Sequence, residues 1–476
     1  MQTPSSPKHV GIIGGGFAGL TAAYRLLAQG YRVTVSERSR QLGGLAMTYP
    51  LLGTRLEKYY HHLFTSDKDI LALARELSVE VLWPSPRVGM FTGGVVHPFT
   101  TPVDLLRFAP LNPADRVRFA AVALFLQRFP NGQRFEQVTA AEWYRRYVGP
   151  RAYATIIGPM LRAKFGRNAE TVAMVWMWGK LRLRGTSREK GGLKESLGYV
   201  RGSFGTLVDR LADEVRRRGG TLETGAVVRR IEGGAPAPQL SDGQVPGFIS
   251  YLRGSRTDAN GASAWARTRG QRLAVVTDRG RVEVDAVMST VAPELLADLA
   301  PALPATWRST ARALTYSGVL CTTLVLQRQL SPIYWMYISD VTVPFGGVIE
   351  HTNYIPPAEY AGRHILYISH YMYPDEEFYT FPSEEILRRY VPHLQRINPA
   401  FTESWIEKCV FAHDRFAQPI VGINFTERLL PYVTPIPGLF SASMAQIFPE
   451  DRGTNYAVRA GNQVATVVAD YLRNAV

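Results

Sequence analysis

The apolar positions of this chain change their period in a readable order. Val10-Gly11-Ile12-Ile13 is a short apolar run, the mark of a buried strand, and Ala18 to Ala28 then shows the apolar spacing of a helix. After Gly30 the segment Tyr31 to Glu37 reads as a second strand. Further on, Gly202 to Leu207 opens a helix with Leu207, Leu211 and Val215 on one face, and Gly219-Gly220 leads from it into a strand over 221–231. Residues 99–195 read as mainly helical, with a helix starting at Ala140. Between 318 and 426 the β-rich runs Val319–Leu326, Tyr334–Ser339 and His364–His370 alternate with turn residues. The last periodic segment, Ala457, Gly461, Val464, Ala465, Val468 and Leu472, is an amphipathic helix. Residues 233–270, rich in Gly, Ala, Ser and Pro and without a period, read as a mobile hairpin insertion.

The turn between the first strand and helix is Gly14-Gly15-Gly16-Phe17-Ala18-Gly19, a G-x-G-x-x-G sequence in the strand-turn-helix context that a dinucleotide site requires. Gly14 permits the tight turn, Gly16 lets backbone approach a pyrophosphate, and Gly19 lets helix pack on strand. The pyrophosphate then meets a helix N-terminus. Glu37, at the end of the second strand, falls where an acid accepts hydrogen bonds from ribose hydroxyls. NAD and FAD share this fingerprint. A second glycine pair, Gly43-Gly44, soon after Glu37-Arg38, supplies more bare backbone for an extended cofactor, which an NAD site does not need.

These blocks resemble the flavoproteins of the amine oxidase, protoporphyrinogen oxidase and phytoene desaturase type, whose pattern of glycine fingerprint, Glu-Arg and Gly-Gly is matched by Gly14 to Gly19, Glu37-Arg38 and Gly43-Gly44. The resemblance extends to Gly202–Leu207 and to Pro437–Ala442 followed by Arg452–Arg459. It implies that the backbone of Val227 meets the adenine, and that Gly453, Thr454, Asn455 and Tyr456 begin a cofactor-facing helix. Helix polarity agrees, because the positive end of the helix dipole stabilises the negative charge of a reduced flavin. One departure stands out: Ser443 and Met444 occupy the places of a glycine and an acid that contacts the ribityl chain, with Glu450 or Asp451 as candidate substitutes.

The expected fold class is therefore α/β, with a discontinuous FAD-binding Rossmann-like domain of the glutathione reductase type over 1–98, 196–300 and 427–476. A mixed α+β substrate domain over 99–195 and 301–426 completes it. The expected function is FAD-dependent oxidation of a C–C or C–N bond, with hydride passing to flavin N5 and an isoprenoid, porphyrinogen or amine as substrate. The FAD is expected to be non-covalent, because neither cysteine, Cys321 or Cys409, lies in the C-terminal cofactor block. Two alternatives stay open. His62-Leu63-Phe64 is similar to the His-x-Phe segment of UDP-galactopyranose mutase, a non-redox flavoenzyme, although Thr65 stands where that family has histidine. The other is a non-catalytic flavin-binding partner subunit.

Composition narrows the classes further. Of 476 residues 46% are hydrophobic and 20% charged, ordinary for a folded globular protein. Two cysteines build no disulfide framework or cysteine metal cluster, so no metal is expected. The polar start, Met1 to Lys8, holds no apolar signal core, and the longest apolar runs, such as Phe119 to Leu126, fall short of the roughly 18 residues of a membrane span. A cytoplasmic location is expected. Residues 101–201 hold eighteen Lys and Arg against seven Asp and Glu, most of the net charge of +14. Arg145, Arg162, Lys164 and Lys180, mixed with Ile156, Leu161, Trp176 and Trp178, suggest a face lying peripherally on anionic lipid at the inner membrane surface. No nucleic-acid motif accompanies the charge.

Candidate proton carriers and substrate contacts come from three places. Adjacent His61 and His62 offer two imidazoles, of which a strand would turn only one inward. Glu350-His351-Thr352-Asn353 and His370-Tyr371 belong to the β-rich region, and Arg415 is placed to meet an anionic substrate.

Overall fold

The computed structural model describes residues 6–186, 196–236 and 272–474. Most of the insertion expected at 233–270 lies outside the described residues. Five parallel strands form one sheet in the order Thr221–Thr224, Arg32–Glu37, His9–Ile13, Ala286–Ser289, Leu439–Ser441. The sheet is thus assembled from both ends and the middle of the chain. Helices Phe17–Leu27 and Thr454–Asn474 pack against each other beside it. An antiparallel three-stranded sheet, Val228–Glu232, Leu273–Thr277 and Gly280–Val284, packs against strands His9–Ile13 and Ala286–Ser289.

A second, seven-stranded sheet runs Ile406–Pro419, Tyr316–Leu326, His364–Met372, Gly347–Glu350, Trp335–Ile338, Val88–Thr92, Val95–Pro98. Residues 88–98 thereby depart from the grouping read in the sequence: they pair with Trp335–Ile338 and not with the parallel sheet. Strand Tyr316–Leu326 is buried along its whole length because both faces are covered. Leu320, Leu324 and Leu326 meet Ile386, Tyr390 and Leu394 of helix Ser383–Ile397, while Cys321 and Val325 join the core shared with the nucleotide fold. The same alternation sorts His370 from its neighbours. His370 faces the helix, its Nδ1 2.8 Å from the Tyr390 hydroxyl, whereas Ser369 and Tyr371 line the central cavity.

Residues 102–186 are helical, and they correct the lipid-facing reading of 145–182. Ile156, Ile157, Leu161, Val172, Met174, Val175, Trp176 and Trp178 are all buried, because this stretch packs its apolar side chains into the protein's second core. Nearby cations are spent on acids, Arg145 on Glu170 (2.7 Å) and Arg167 on Asp375 (2.5 Å). Apolar side chains do reach solvent earlier. Helix Pro113–Arg128 buries Phe119 and Leu126 on one side and exposes Val117, Leu124 and Phe125 on the other. No helix among the described residues is long and apolar enough to cross a membrane.

Two fully buried imidazoles tie stability to pH. Burial lowers His351 to about 3 and His370 to about 4, from an ordinary 6.5. Both are neutral above pH 6.5 in either state, so their contribution is complete there. As pH falls below 6.5 the unfolded chain takes up protons first, and stability is lost until the folded values are reached, by at most roughly 5 kcal/mol for His351 and roughly 3 kcal/mol for His370. Chemical denaturation at pH 7.5 and pH 5 is expected to show this loss, and His370→Gln to reduce it. An equal loss in the variant contradicts the assignment.

Candidate functional site

One cavity of about 1030 Å³ collects residues from the glycine loop, both sheets, the helical region and the C-terminal helix. Along the turn from Gly14 to Gly19 the glycines divide by cause. A Cβ on Gly14, whose φ is +107°, would lie 2.2 Å from Thr290 Oγ1, and one on Gly19 would lie 2.0 Å from the Gly14 carbonyl oxygen. Packing therefore requires both. Gly15 sits behind the cavity wall and donates its N–H to Glu37 Oε2 at 2.7 Å. Gly16 is different, since a Cβ there would meet no atom nearer than 3.7 Å and would project where the cavity is lined. Neither strain nor crowding within the protein calls for that glycine, and an incoming group that needs bare backbone does. Gly43 and Gly44 (φ +120° and +58°) lie alongside, held by the Gly43 N–H on the Gly15 carbonyl at 2.8 Å.

Glu37 is nearly buried and also accepts the Ser39 N–H at 2.8 Å, so its carboxylate is oriented before any ligand arrives. Arg38 and Ala18 line the same end. Val227 lines it too, with its N–H given to Asp278 Oδ1 (3.0 Å) and its carbonyl accepting the Asp278 N–H (3.1 Å). The second lone pair of that carbonyl is what its backbone still has to offer an adenine.

Gly453, Thr454, Asn455 and Tyr456 line the cavity where helix Thr454–Asn474 begins. The Tyr456 and Ala457 N–H groups both donate to the Gly453 carbonyl at 3.1 Å, and the helix dipole makes this end electropositive. The Asn455 side chain is committed elsewhere: Oδ1 accepts the N–H groups of Asp69 (2.9 Å) and Ile70 (3.1 Å), capping helix Lys68–Glu76. Of the two acids offered for the ribityl contact, Glu450 pairs with Arg459 (3.0 Å) outside the cavity, and Asp451 lines it. Ser443 and Met444 line it as well.

Beyond the nucleotide end the wall is aromatic and polar. Tyr60 stacks edge-on against Trp335 (5.0 Å), and its hydroxyl lies 2.8 Å from Ser369 Oγ and 3.4 Å from the Tyr371 hydroxyl. Tyr371 in turn accepts from Arg452 Nη2 at 2.9 Å. His61 and His62 both line this wall, because residues 58–62 are irregular and the strand begins only at Leu63. His61 Nδ1 lies 2.6 Å from the Tyr59 carbonyl, so Nδ1 carries the proton and Nε2 is the acceptor. Burial lowers its pKa to about 4, with Arg452 adding to the effect against the Tyr59 carbonyl.

Two other expected site residues lie elsewhere. His351 is buried among tyrosines, its Nε2 2.7 Å from the Tyr360 hydroxyl, because the turn after strand Gly347–Glu350 points it into the core. Arg415 points outward and pairs with Glu294 at 2.9 Å. What the sequence reading missed is a charged cluster on the cavity wall. Lys164 (2.5 Å) and Lys180 (3.4 Å) share Asp451 Oδ2, and both ammonium groups stand over the Trp176 ring. The available signal was a lysine inside the otherwise apolar run Met174 to Leu181.

Comparison with known proteins agrees with this architecture. The family model for flavin-containing amine oxidoreductases matches residues 17–245 and 263–469. The chain is 23% identical over 308 residues to the "Putative flavin-containing monoamine oxidase AofH" of Mycobacterium tuberculosis, an alignment covering 62% of this chain and 59% of that protein. It is 56% identical over 49 residues, 10% of each chain, to the L-amino acid oxidase Cdc18 of Crotalus durissus cumanensis. In fold it is similar to cyclohexylamine oxidase from Brevibacterium oxydans IH-35A, with a TM-score of 0.71, 14% identity and coverage of 98% of this chain and 100% of that one. The likeness to UDP-galactopyranose mutase drawn from His62-Leu63-Phe64 is not borne out, since the family match lies with the amine oxidoreductases. Matched over most of its length, the chain belongs to the flavin-containing amine oxidoreductase family.

Proposed function

We propose that the protein binds FAD non-covalently across the cavity and oxidises a C–C or C–N single bond of a small molecule. What supports this reading is that the Gly14–Gly16 turn, Glu37, Val227 and the Gly453–Tyr456 turn all line one space, whose far wall is built of Tyr60, Trp335 and Tyr371. In this reading the bare backbone at Gly16 and Gly44 accommodates the pyrophosphate, and Glu37 accepts from ribose hydroxyls. The start of helix Thr454–Asn474 sets its positive end against the flavin's pyrimidine side. FAD, when bound, supplies the two-electron acceptor, taking a hydride at N5. The aromatic side chains position the substrate and exclude water. His61 Nε2 is a weakly basic acceptor for the proton that leaves with the hydride, and at neutral pH it rests unprotonated. Cys321 is buried and Cys409 half-buried on the seven-stranded sheet, away from the helix that begins at Thr454, so no thiol is offered there for attachment.

The purified protein is expected to be yellow, to release its chromophore on acid precipitation, and to bleach anaerobically with a true substrate. A folded protein that stays colourless after FAD is added contradicts the reading, and colour retained in the acid pellet contradicts non-covalent attachment.

The proposal includes work at an anionic lipid surface, through a different face from the one expected. Val103 and Leu106 of helix Pro102–Leu106 are exposed beside Val117, Leu124 and Phe125, and Arg116 ties the two helices by donating to the Leu106 and Leu111 carbonyls. Arg107, Arg118 and Arg128 lie on the same two helical segments. Basic residues near an anionic surface contribute roughly 1 kcal/mol each, and exposed apolar side chains add to this by insertion. The protein is expected to co-sediment with phosphatidylserine-containing vesicles at low salt, to leave them at high salt, and to bind less when Leu124 and Phe125 are both serine. Protein remaining in the supernatant at low salt contradicts this placement.

A further inference from the structure

We propose that Lys164, Lys180 and Arg452 form an anion subsite, which takes a carboxylate or phosphate group of the substrate. The inference rests on the reading of the cavity as a substrate site and narrows its ligand from a small molecule to an anionic one.

Three cations here meet one carboxylate. Lys164 and Lys180 both use Asp451 Oδ2, and Arg452 makes its hydrogen bonds to neutral oxygens, Gln418 Oε1 at 3.1 Å and the Tyr371 hydroxyl at 2.9 Å. The four groups line the cavity, and the side chains of Lys164 and Asp451 are each only 16% exposed. Burial opposes ionisation of Asp451, but Lys164, Lys180 and Arg452 outweigh it and hold the carboxyl below its usual range. Burial also pushes Lys164 well below the ordinary lysine value, Asp451 opposing and the two neighbouring cations adding to the fall. Charge in a wall with little water is costly unless it is matched. Asp451 supplies one negative charge to this wall, and an incoming anion supplies the counter-charge that Arg452 lacks and favours the protonated form of Lys164.

The Trp176 ring fixes where that anion is received. With Lys164 Nζ 5.1 Å and Lys180 Nζ 5.0 Å from its centroid, the indole holds both ammonium groups over one surface, and each ammonium has three donors to distribute. On the sheet side Asp414 is four residues along the strand from Gln418 and accepts the Phe416 N–H at 2.7 Å. Asp414 also lines the cavity but, among the described residues, forms no ion pair within 4 Å with Lys164, Lys180 or Arg452. A protonated amine brought to this wall would be repelled, whereas a carboxylate or phosphate would be held by charge-assisted hydrogen bonds.

Benzoate, phenyl phosphate and benzylamine share a ring and differ in headgroup, so they separate the readings. Each is titrated into the FAD-loaded protein while the flavin absorption and the tryptophan emission are followed. The expected result is that benzoate or phenyl phosphate binds at least ten-fold more tightly than benzylamine, and their ratio identifies the preferred anion. Lys180→Gln is expected to weaken anion binding ten-fold or more at unchanged FAD content, and Lys180→Arg to retain it. Tighter binding of benzylamine in the wild type overturns the proposal, as does an anion Kd unmoved by Lys180→Gln. A lowered flavin reduction potential in Lys180→Gln with unmoved anion binding also overturns it, because the cations then serve the reduced flavin. If the protein proves to hold no FAD, the oxidoreductase reading fails separately, and tryptophan emission still reads the subsite.

Discussion

Two helix N-termini can serve one cavity here because helix Thr454–Asn474 lies on helix Phe17–Leu27 at a separation only glycine allows. A Cβ on Gly461 would stand 2.5 Å from the Ala18 carbonyl oxygen and 2.8 Å from Thr21 Cβ. The same demand recurs inside the first unit, where Gly19 admits the helix to the Gly14 carbonyl. These contacts bring the electropositive starts of both helices, at Gly16 and at Gly453, to opposite parts of a single space. A flavin dinucleotide carries negative charge at two places, its pyrophosphate and its reduced ring, and two such helix ends suit it.

The rest of the site hangs on that frame. The Asn455 side chain, one residue into the C-terminal helix, caps helix Lys68–Glu76, so the cavity-lining turn at 453–456 is clamped to the element that follows the histidine pair. Asp451 and Arg452, just before that turn, reach in the other direction to Lys164, Lys180, Gln418 and Tyr371. A few residues around Gly453 therefore connect the nucleotide fold, the helical region and the seven-stranded sheet. The charge they gather where they line the cavity is predominantly positive.

How far the sequence discloses this follows from the range of each interaction. The glycine loop, Glu37 and the second glycine pair lie within some thirty residues, and their spacing alone implies the turn they make. Strands His9–Ile13 and Arg32–Glu37 were legible locally too, whereas Ala286–Ser289 was not read at all, and the strand expected over 221–231 is two, Thr221–Thr224 in the parallel sheet and Val228–Glu232 in the antiparallel one. The cluster at Asp451 was not, because its partner Lys164 is 287 residues away and nothing local marks them as a pair. Strand parity accounts for the histidines: Ser369 and Tyr371 face the cavity and His370 the helix, a choice that a period of two leaves open until one face is known. His61 and His62 escaped that rule because their segment is not a strand. For the basic region, composition showed charge and apolar bulk in 145–182 but not that the bulk points inward, whereas helix Pro113–Arg128, apolar on both sides, shows no single face to read.

The central claim, that one cofactor spans both helix starts, is tested most directly by hydrogen exchange on the apoprotein before and after FAD is added. Protection is expected to rise together at residues 14–18, 37–39, 226–228 and 453–456, and to stay unchanged around His351 and Arg415. A rise confined to the first glycine loop, with the amides at 453–456 unaffected, would contradict the account.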